Sequence, residues 1–135
     1  MRRMWRRVSP RAAYPSYVRD HKSLKAWQEA HWVAMAAVDL AESYWKPSLR
    51  SVYDQLTSAA LPAQINIAEG YALGTKPMFV RHLRIAYGSS IETADLLELL
   101  AERLVIPVAT ASSTLEHSRL CQRLLLGLLR KSSHR

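Results

Sequence analysis

Phe79, Leu83, Ala86, Ser90, Thr93, Leu97, Leu100 and Leu104 follow one another at steps of 4, 3, 4, 3, 4, 3 and 4. That alternation places all eight on one face of an α-helix and scatters them over both faces of a strand. A helix this long with one apolar face has to cover it with other elements. The rest of the chain offers them. Leu24, Trp27, His31, Ala34, Val38, Ala41 and Trp45 form one more stripe, and Val52, Leu56, Ala59, Ala63 and Ile67 another. Residues 109–131 supply a fourth helix, whose segment "LLLGLL" (Leu124 to Leu129) is apolar almost all round and needs cover on more than one side.

Three breaks divide the stripes. Proline disfavours helix in the residue before it, so Lys46-Pro47 ends the first helix, and Ser48 is placed to cap the second. Within the second, Pro62 removes a backbone bond and predicts a kink. The stretch "QINIAEG" (64–70) alternates as a strand would. Ile67 nevertheless continues the helical stripe, Ile65 falls on a neighbouring face, and no partner strand is found elsewhere in the chain. Gly70 is the expected helix-ending residue, with Gly70 and Gly74 bracketing a loop. The third helix starts at Thr75, with Pro77 in its first turn, and runs to about Leu104. Its small cluster Ala86, Gly88, Ser89 and Ser90 predicts the close approach of a neighbouring helix, for which Gly88 gives up helix propensity. Pro107 is the last break. The reading is all-α: an antiparallel up-down four-helix bundle over residues 22–131, with a flexible basic arm at 1–21 and a short tail at 132–135.

Composition agrees. At 135 residues the chain makes one domain with a real core, and its 49% hydrophobic content with only 4 Gly and 6 Pro favours helix over sheet. No apolar stretch approaches the ~20 residues that cross a bilayer. The basic N-terminus has no apolar segment of the secretory kind. Cys121 is the single cysteine, which excludes an internal disulfide and suits a cytoplasmic location. The formal charge of +8 is unevenly placed. Residues 1–25 carry Arg2, Arg3, Arg6, Arg7, Arg11, Arg19, Lys22 and Lys25 against Asp20 alone, while the remaining residues hold eleven basic and ten acidic side chains. A nearly neutral body therefore carries a basic arm, and the high pI alone does not make the body a nucleic-acid binder.

Three stretches, "SLKAWQEAH" (23–31), "QLTSAALPAQINIAEG" (55–70) and "FVRHLRIAYGSSIE" (79–92), resemble the signature stretches of a bacterial four-helix-bundle family named for proteins encoded in 23S rRNA intervening sequences. The likeness covers about residues 22–131. The family's central motif usually reads S-I-P-A-N-I-A-E-G. Asn66, Ile67, Ala68, Glu69 and Gly70 match it, whereas Gln64 stands at the usual proline and Pro62 lies two residues earlier. The resemblance implies a ring-shaped homo-oligomer, generally a pentamer. It also implies likeness to accessory proteins of diversity-generating retroelements, which help a reverse transcriptase and bind nucleic acid. Trp27, Gln55, Asn66, Glu69, Gly70, Gly88, Ser89 and Glu92 are the motif residues it marks as structural.

From the residues themselves, Asn66 and Glu69 are neighbours at i, i+3. Asn66 is expected to bond a carbonyl freed by Pro62, and Glu69 to cap or to pair with another helix. Catalysis has little support. There is no Glu-x-x-His pair for a di-iron site, no i, i+4 pair among the histidines at 21, 31, 82, 117 and 134, and no phosphate-cradling glycine motif. No enzyme activity, cofactor or metal is expected. His31 reads as a core-edge histidine and Cys121 as packed and inert. The candidate nucleic-acid contacts are Arg2, Arg3, Trp5, Arg6, Arg7 and Arg11 in the arm, Arg81 and Arg84 on the third helix, and Arg119, Arg123, Arg130 and Lys131 on the fourth. A ring assembly would repeat each patch once per subunit. The function this favours is a non-catalytic oligomer binding RNA or single-stranded DNA, as an accessory to a partner enzyme. The alternatives are a protein–protein interaction scaffold and a membrane-surface protein that uses its arm.

Overall fold

The computed structural model describes residues 20–133, so the arm contacts Arg2, Arg3, Trp5, Arg6, Arg7 and Arg11, like residues 134–135 of the tail, lie outside the described residues. Among those residues there are four α-helices and no strand: α1 Lys25–Tyr44, α2 Arg50–Leu73, α3 Lys76–Glu102 and α4 Val108–Ser133. Short 3-10 turns, His21–Ser23 and Pro47–Leu49, precede α1 and α2. Each helix packs on the next in the chain, and α4 packs back on α1, which closes the four around a common interior. "QINIAEG" is helical throughout. None of the described helices is long and apolar enough to cross a membrane.

The α3 stripe is buried as its spacing requires: Leu83, Ala86, Ser90, Thr93, Leu97 and Leu100 all face inward. The α1 stripe is rotated by about one position. Its most buried residues are Ala26, Ala30, Val33, Ala37 and Leu40, with Trp27 and Ala34 beside them, while Trp45 is 49% exposed. Alanines at the centre let α1 lie close to the interior, and bulkier side chains are displaced to the seams.

Three helix ends differ from expectation. Ser48 does not cap α2. It lies inside the Pro47–Leu49 turn, and the capping position is Leu49, without a side-chain bond. Leu49 packs against the core instead, so burial decides the entry into α2. Gly70 does not end α2. The helix runs through it, and through Pro62, to Leu73, and Gly74 takes the left-handed cap at φ 75°. Gly70 is buried, and a Cβ there would lie 2.7 Å from His82 Cβ, so the glycine serves the close approach of α2 and α3. Conversely, Gly88 makes no close approach among the described residues. Ala86 and Ser90 turn inward, but Gly88 is exposed and a Cβ would meet nothing within 4 Å.

Leu104 is also displaced. α3 stops at Glu102, and Leu104 sits at φ 57°, 79% exposed. The Val105 N–H donates to Leu100 O and the Leu104 N–H to Ala101 O, both at 3.0 Å. This is a Schellman ending with leucine in the left-handed position that normally takes glycine. Left-handed backbone costs an L-residue roughly 1–2 kcal/mol, and the side chain, largely exposed among the described residues, regains little of it. Leu104→Gly is therefore expected to raise stability by about 1 kcal/mol, read as a higher urea midpoint at unchanged slope.

The interior has two apolar clusters. One gathers Leu40, Tyr53, Leu56, Leu97, Leu100 and Ile106 near the α1–α2 and α3–α4 connections. The other gathers Trp27, Ile67, Leu83, Cys121 and Leu125 near the α2–α3 connection and the ends of the described chain. Between them is a waist of small and hydroxyl residues, among them Ala30, Ala60, Ser90, Thr93 and Ser118.

Candidate assembly and nucleic-acid surfaces

Polar side chains join the helices at each of the four seams. His31 Nδ1 lies 2.8 Å from Gln64 Oε1 across α1 and α2, and the imidazole stacks on Trp27. His82 Nδ1 lies 2.8 Å from Asn66 Oδ1 across α2 and α3. Arg119 Nη2 donates to Glu98 Oε1 at 3.0 Å across α3 and α4. His117 Nδ1 lies 2.6 Å from Glu29 Oε1 across α1 and α4, with its ring stacked 3.8 Å from that of Trp32. In every histidine latch the partner atom is an acceptor, so Nδ1 carries the proton. For His82 the amide orientation is fixed independently, because Asn66 Nδ2 donates to Pro62 O at 2.9 Å.

These contacts settle several expectations. Asn66 bonds Pro62's own carbonyl, not the one that Pro62 leaves without its helical N–H, which is that of Ser58. Glu69 is exposed and makes no hydrogen bond or ion pair among the described residues. It neither caps nor pairs, because α2 continues past it. His31 is a half-buried core-edge residue. Cys121 is buried, and burial pushes its thiol up to about 11, which keeps it a neutral thiol. Among the described residues no three His, Cys, Asp or Glu side chains are grouped to hold a metal.

Burial lowers the His31 pKa below its ordinary 6.5, the Lys22 charge acting in the same sense and the Gln64 bond opposing. The unfolded chain then binds the proton more readily than the folded one. The His31 contribution is complete above pH 6.5 and declines as pH falls below it. His21 is shifted in the same direction, chiefly by burial. The urea midpoint should therefore drop between pH 7.5 and 5.5, with a shallower drop in His31→Gln.

The motif residues separate into two groups. Trp27, Asn66 and Gly70 have partners inside the chain, Ser89 is half-buried, and Gln55, Glu69, Gly88 and Glu92 are exposed. The exposed group shares α2 and α3 with most of the exposed large apolar side chains: Leu61, Ile65 and Leu73 on α2, and Met78, Ile85, Ile91 and Leu99 on α3. On α3 the outward residues Met78, Arg81, Ile85, Gly88, Glu92, Asp95 and Leu99 repeat at steps of 3, 4, 3, 4, 3 and 4. That is a second stripe at coiled-coil spacing, turned away from the core.

The candidate basic contacts of the body are all exposed: Arg81 and Arg84 on α3, and Arg119, Arg123, Arg130 and Lys131 on α4. Arg119, Arg123 and Arg130 are 4 and 7 apart and share one side of α4. Their charges are not equally available. Arg119 is tied to Glu98, and Arg81 belongs to the outward α3 stripe. His117, Arg119, Leu120 and Arg123 line a shallow recess together with Glu116. Sequence reasoning missed Glu29, Trp32, His82, Glu98 and His117 as latches. Each joins residues far apart in the chain, and no local pattern marks such a pair.

The model of the 23S rRNA-intervening sequence protein family matches residues 22–127 of the chain. Among solved structures, the chain is similar to that of a protein of unknown function from the S23 ribosomal protein family of Bacteroides thetaiotaomicron VPI-5482. The TM-score is 0.70 at 20% identity, over 77% of this chain and 97% of that one. No curated protein matches the sequence.

Proposed function

The chain belongs to the 23S rRNA-intervening sequence protein family, and from that premise we propose that it is a non-catalytic homo-oligomer of antiparallel up-down bundles that binds RNA or single-stranded DNA electrostatically, as an accessory to a partner enzyme. The observation that carries the reading is the division of the surface. α2 and α3 present most of the exposed large apolar side chains, interspersed with charged ones, and an outward glycine, a surface suited to self-association, while α4 presents its exposed arginines on another side. A ring built through α2 and α3 would leave the outer side of α4 uncovered and repeat its arginines around the assembly. Affinity for a polyanion rises steeply with the number of phosphates contacted together. Trp5 among the arm arginines adds a group on which a base can stack. Likeness to retroelement accessory proteins and a cytoplasmic location belong to the same proposal.

The test uses nuclease-treated, refolded protein and labelled single-stranded RNA in a salt titration. Binding should weaken steeply with salt. Arg123→Glu, which makes no ion pair among the described residues, should weaken it by about tenfold at fixed salt, roughly 1.4 kcal/mol. Binding that ignores salt, or none at low salt, overturns the proposal. The second reading is a protein-interaction scaffold, favoured by the same exposed apolar side chains on α2 and α3. Stoichiometric recovery of one protein without nucleic acid would support it.

A further inference from the structure

Charge is segregated along the bundle. The segments that enclose the Trp27–Leu125 cluster, 20–30, 63–87 and 121–131, lie at the α2–α3 connection and the ends of the described chain. They carry eight Lys and Arg against Asp20, Glu29 and Glu69. The rest of the body, 31–62 and 88–120, carries four against eight Asp and Glu. One end is therefore net positive and the remainder net negative, although the body as a whole is nearly neutral. Two of the three carboxylates at the basic end are already engaged: Glu29 is held by His117, and Asp20 accepts the Lys22 N–H. Lys25, Arg84, Arg123 and Lys131 are exposed and make no ion pair among the described residues. The same end has a recess. Gly70, Tyr71, Gly74, Thr75, Lys76 and Phe79 line a space of about 430 Å³ at the α2–α3 turn. Its two glycines put no side chain into it. Tyr71 and Phe79 are half-buried, with their rings edge to face and 6.3 Å between centroids.

We propose that this end of the bundle receives an unpaired stretch of nucleic acid, with one base in the recess against Tyr71 and the flanking phosphates on Lys25, Lys76, Arg84 and Lys131. Two features in one place argue for it. The excess of cations supplies affinity for a phosphate backbone whatever its sequence. The aromatic recess supplies a face for a base, and only a base outside a duplex can turn to meet one. Its volume falls in the ordinary range of small-ligand sites, roughly 300–1,000 Å³, which suits one base. The negative remainder of the body repels the same strand and confines it to this end. The inference rests on the nucleic-acid reading above and adds to it a place and a requirement for unpaired bases. It moves the principal contacts from the side of α4 to the end of the bundle, and it brings in Lys25, Tyr71 and Lys76.

The test compares the full chain and its variants on labelled single-stranded RNA and on an abasic strand of the same length. Lys25→Glu and Arg84→Glu should each weaken RNA binding by about tenfold. Arg103→Glu makes the same charge change at the opposite end, on an exposed residue without an ion pair among the described residues, and should stay within about twofold of wild type. Tyr71→Leu should weaken RNA binding by about tenfold and leave the abasic strand unaffected, while Tyr71→Phe, which keeps the ring, binds both as wild type does. Equal effects of the three charge reversals would overturn the proposal, since the arm or net charge alone would then account for binding. So would a Tyr71→Leu that binds RNA as wild type does or weakens both strands alike, or displacement of the RNA by a mononucleotide as effectively as by the unlabelled strand. A wild-type protein without salt-dependent binding would remove the nucleic-acid reading itself, whereas salt-dependent binding with equal charge reversals removes this site alone.

Discussion

Gly88→Leu is expected to hold the protein, proposed above to assemble through α2 and α3, as a monomer of 15.3 kDa while leaving the subunit at least as stable as before. Among the described residues a Cβ at 88 has no neighbour within 4 Å, so the exposed position leaves room for a larger side chain. Glycine in a helix interior is about 0.8–1.0 kcal/mol less favourable than alanine, and leucine is nearly as good as alanine, so the isolated helix gains. The position lies between Ile85 and Glu92 on the outward stripe of α3, where a second bundle would have to approach closely. A leucine there removes that approach for every subunit of a closed ring at once. Light scattering on the eluted peak measures the mass directly, and a urea titration at low concentration measures the subunit. Wild-type mass retained in Gly88→Leu would exclude the α3 face from the assembly. A wild-type protein that is itself monomeric would end the assembly proposal.

The opposite outcome is expected at Gly70, a motif residue of the same type. Its Cβ position lies 2.7 Å from His82 Cβ and 3.3 Å from Phe79 Cδ1, and His82 Cβ is held to the backbone of α3, so it cannot swing away. Gly70→Val has to push α2 and α3 apart. That separation breaks the His82–Asn66 bond of 2.8 Å as well. Overpacking of about 1–3 kcal/mol, with a lost partly buried hydrogen bond of about 1 kcal/mol or more, exceeds the ~0.5 kcal/mol that a helix gains when valine replaces glycine. The net expectation is a loss of about 3 kcal/mol, several times the effect of an ordinary surface change. It would appear as a lower urea midpoint at unchanged slope. A loss below about 1 kcal/mol would mean that the seam can open without consequence. The two glycines thus have contrary signatures: at 70 the subunit fails, and at 88 only its assembly does.

The α3 stripe was legible because a core helix repeats a simple spacing over many turns, and its inward residues from Leu83 to Leu100, Ala94 apart, follow from that spacing. The α1 stripe was less legible. Alanine is indifferent to burial in a sequence pattern, so the bulky residues marked the face, whereas in the fold Ala26, Ala30 and Ala37 occupy its centre. Helix ends were the least legible. Gly70 looked like a stop, yet it lies inside α2 because α3 passes close by. Leu104 looked like the last core residue, yet it stands outside because the chain turns back at Arg103. The basic residues were visible by type, but that Arg119 is held by Glu98 was not.

The sequence by itself determined that this chain is helical, where its apolar faces run, and that its charge is concentrated before residue 26, since those properties reside in residue type and spacing along the chain. Only the tertiary structure decided which glycine marks a close approach and which faces open space. It alone paired Glu29 with His117 and Asn66 with His82. It also left one strained leucine in water. Each of these depends on the distance between helices, and that distance is set by how whole faces fit together, which no local pattern contains.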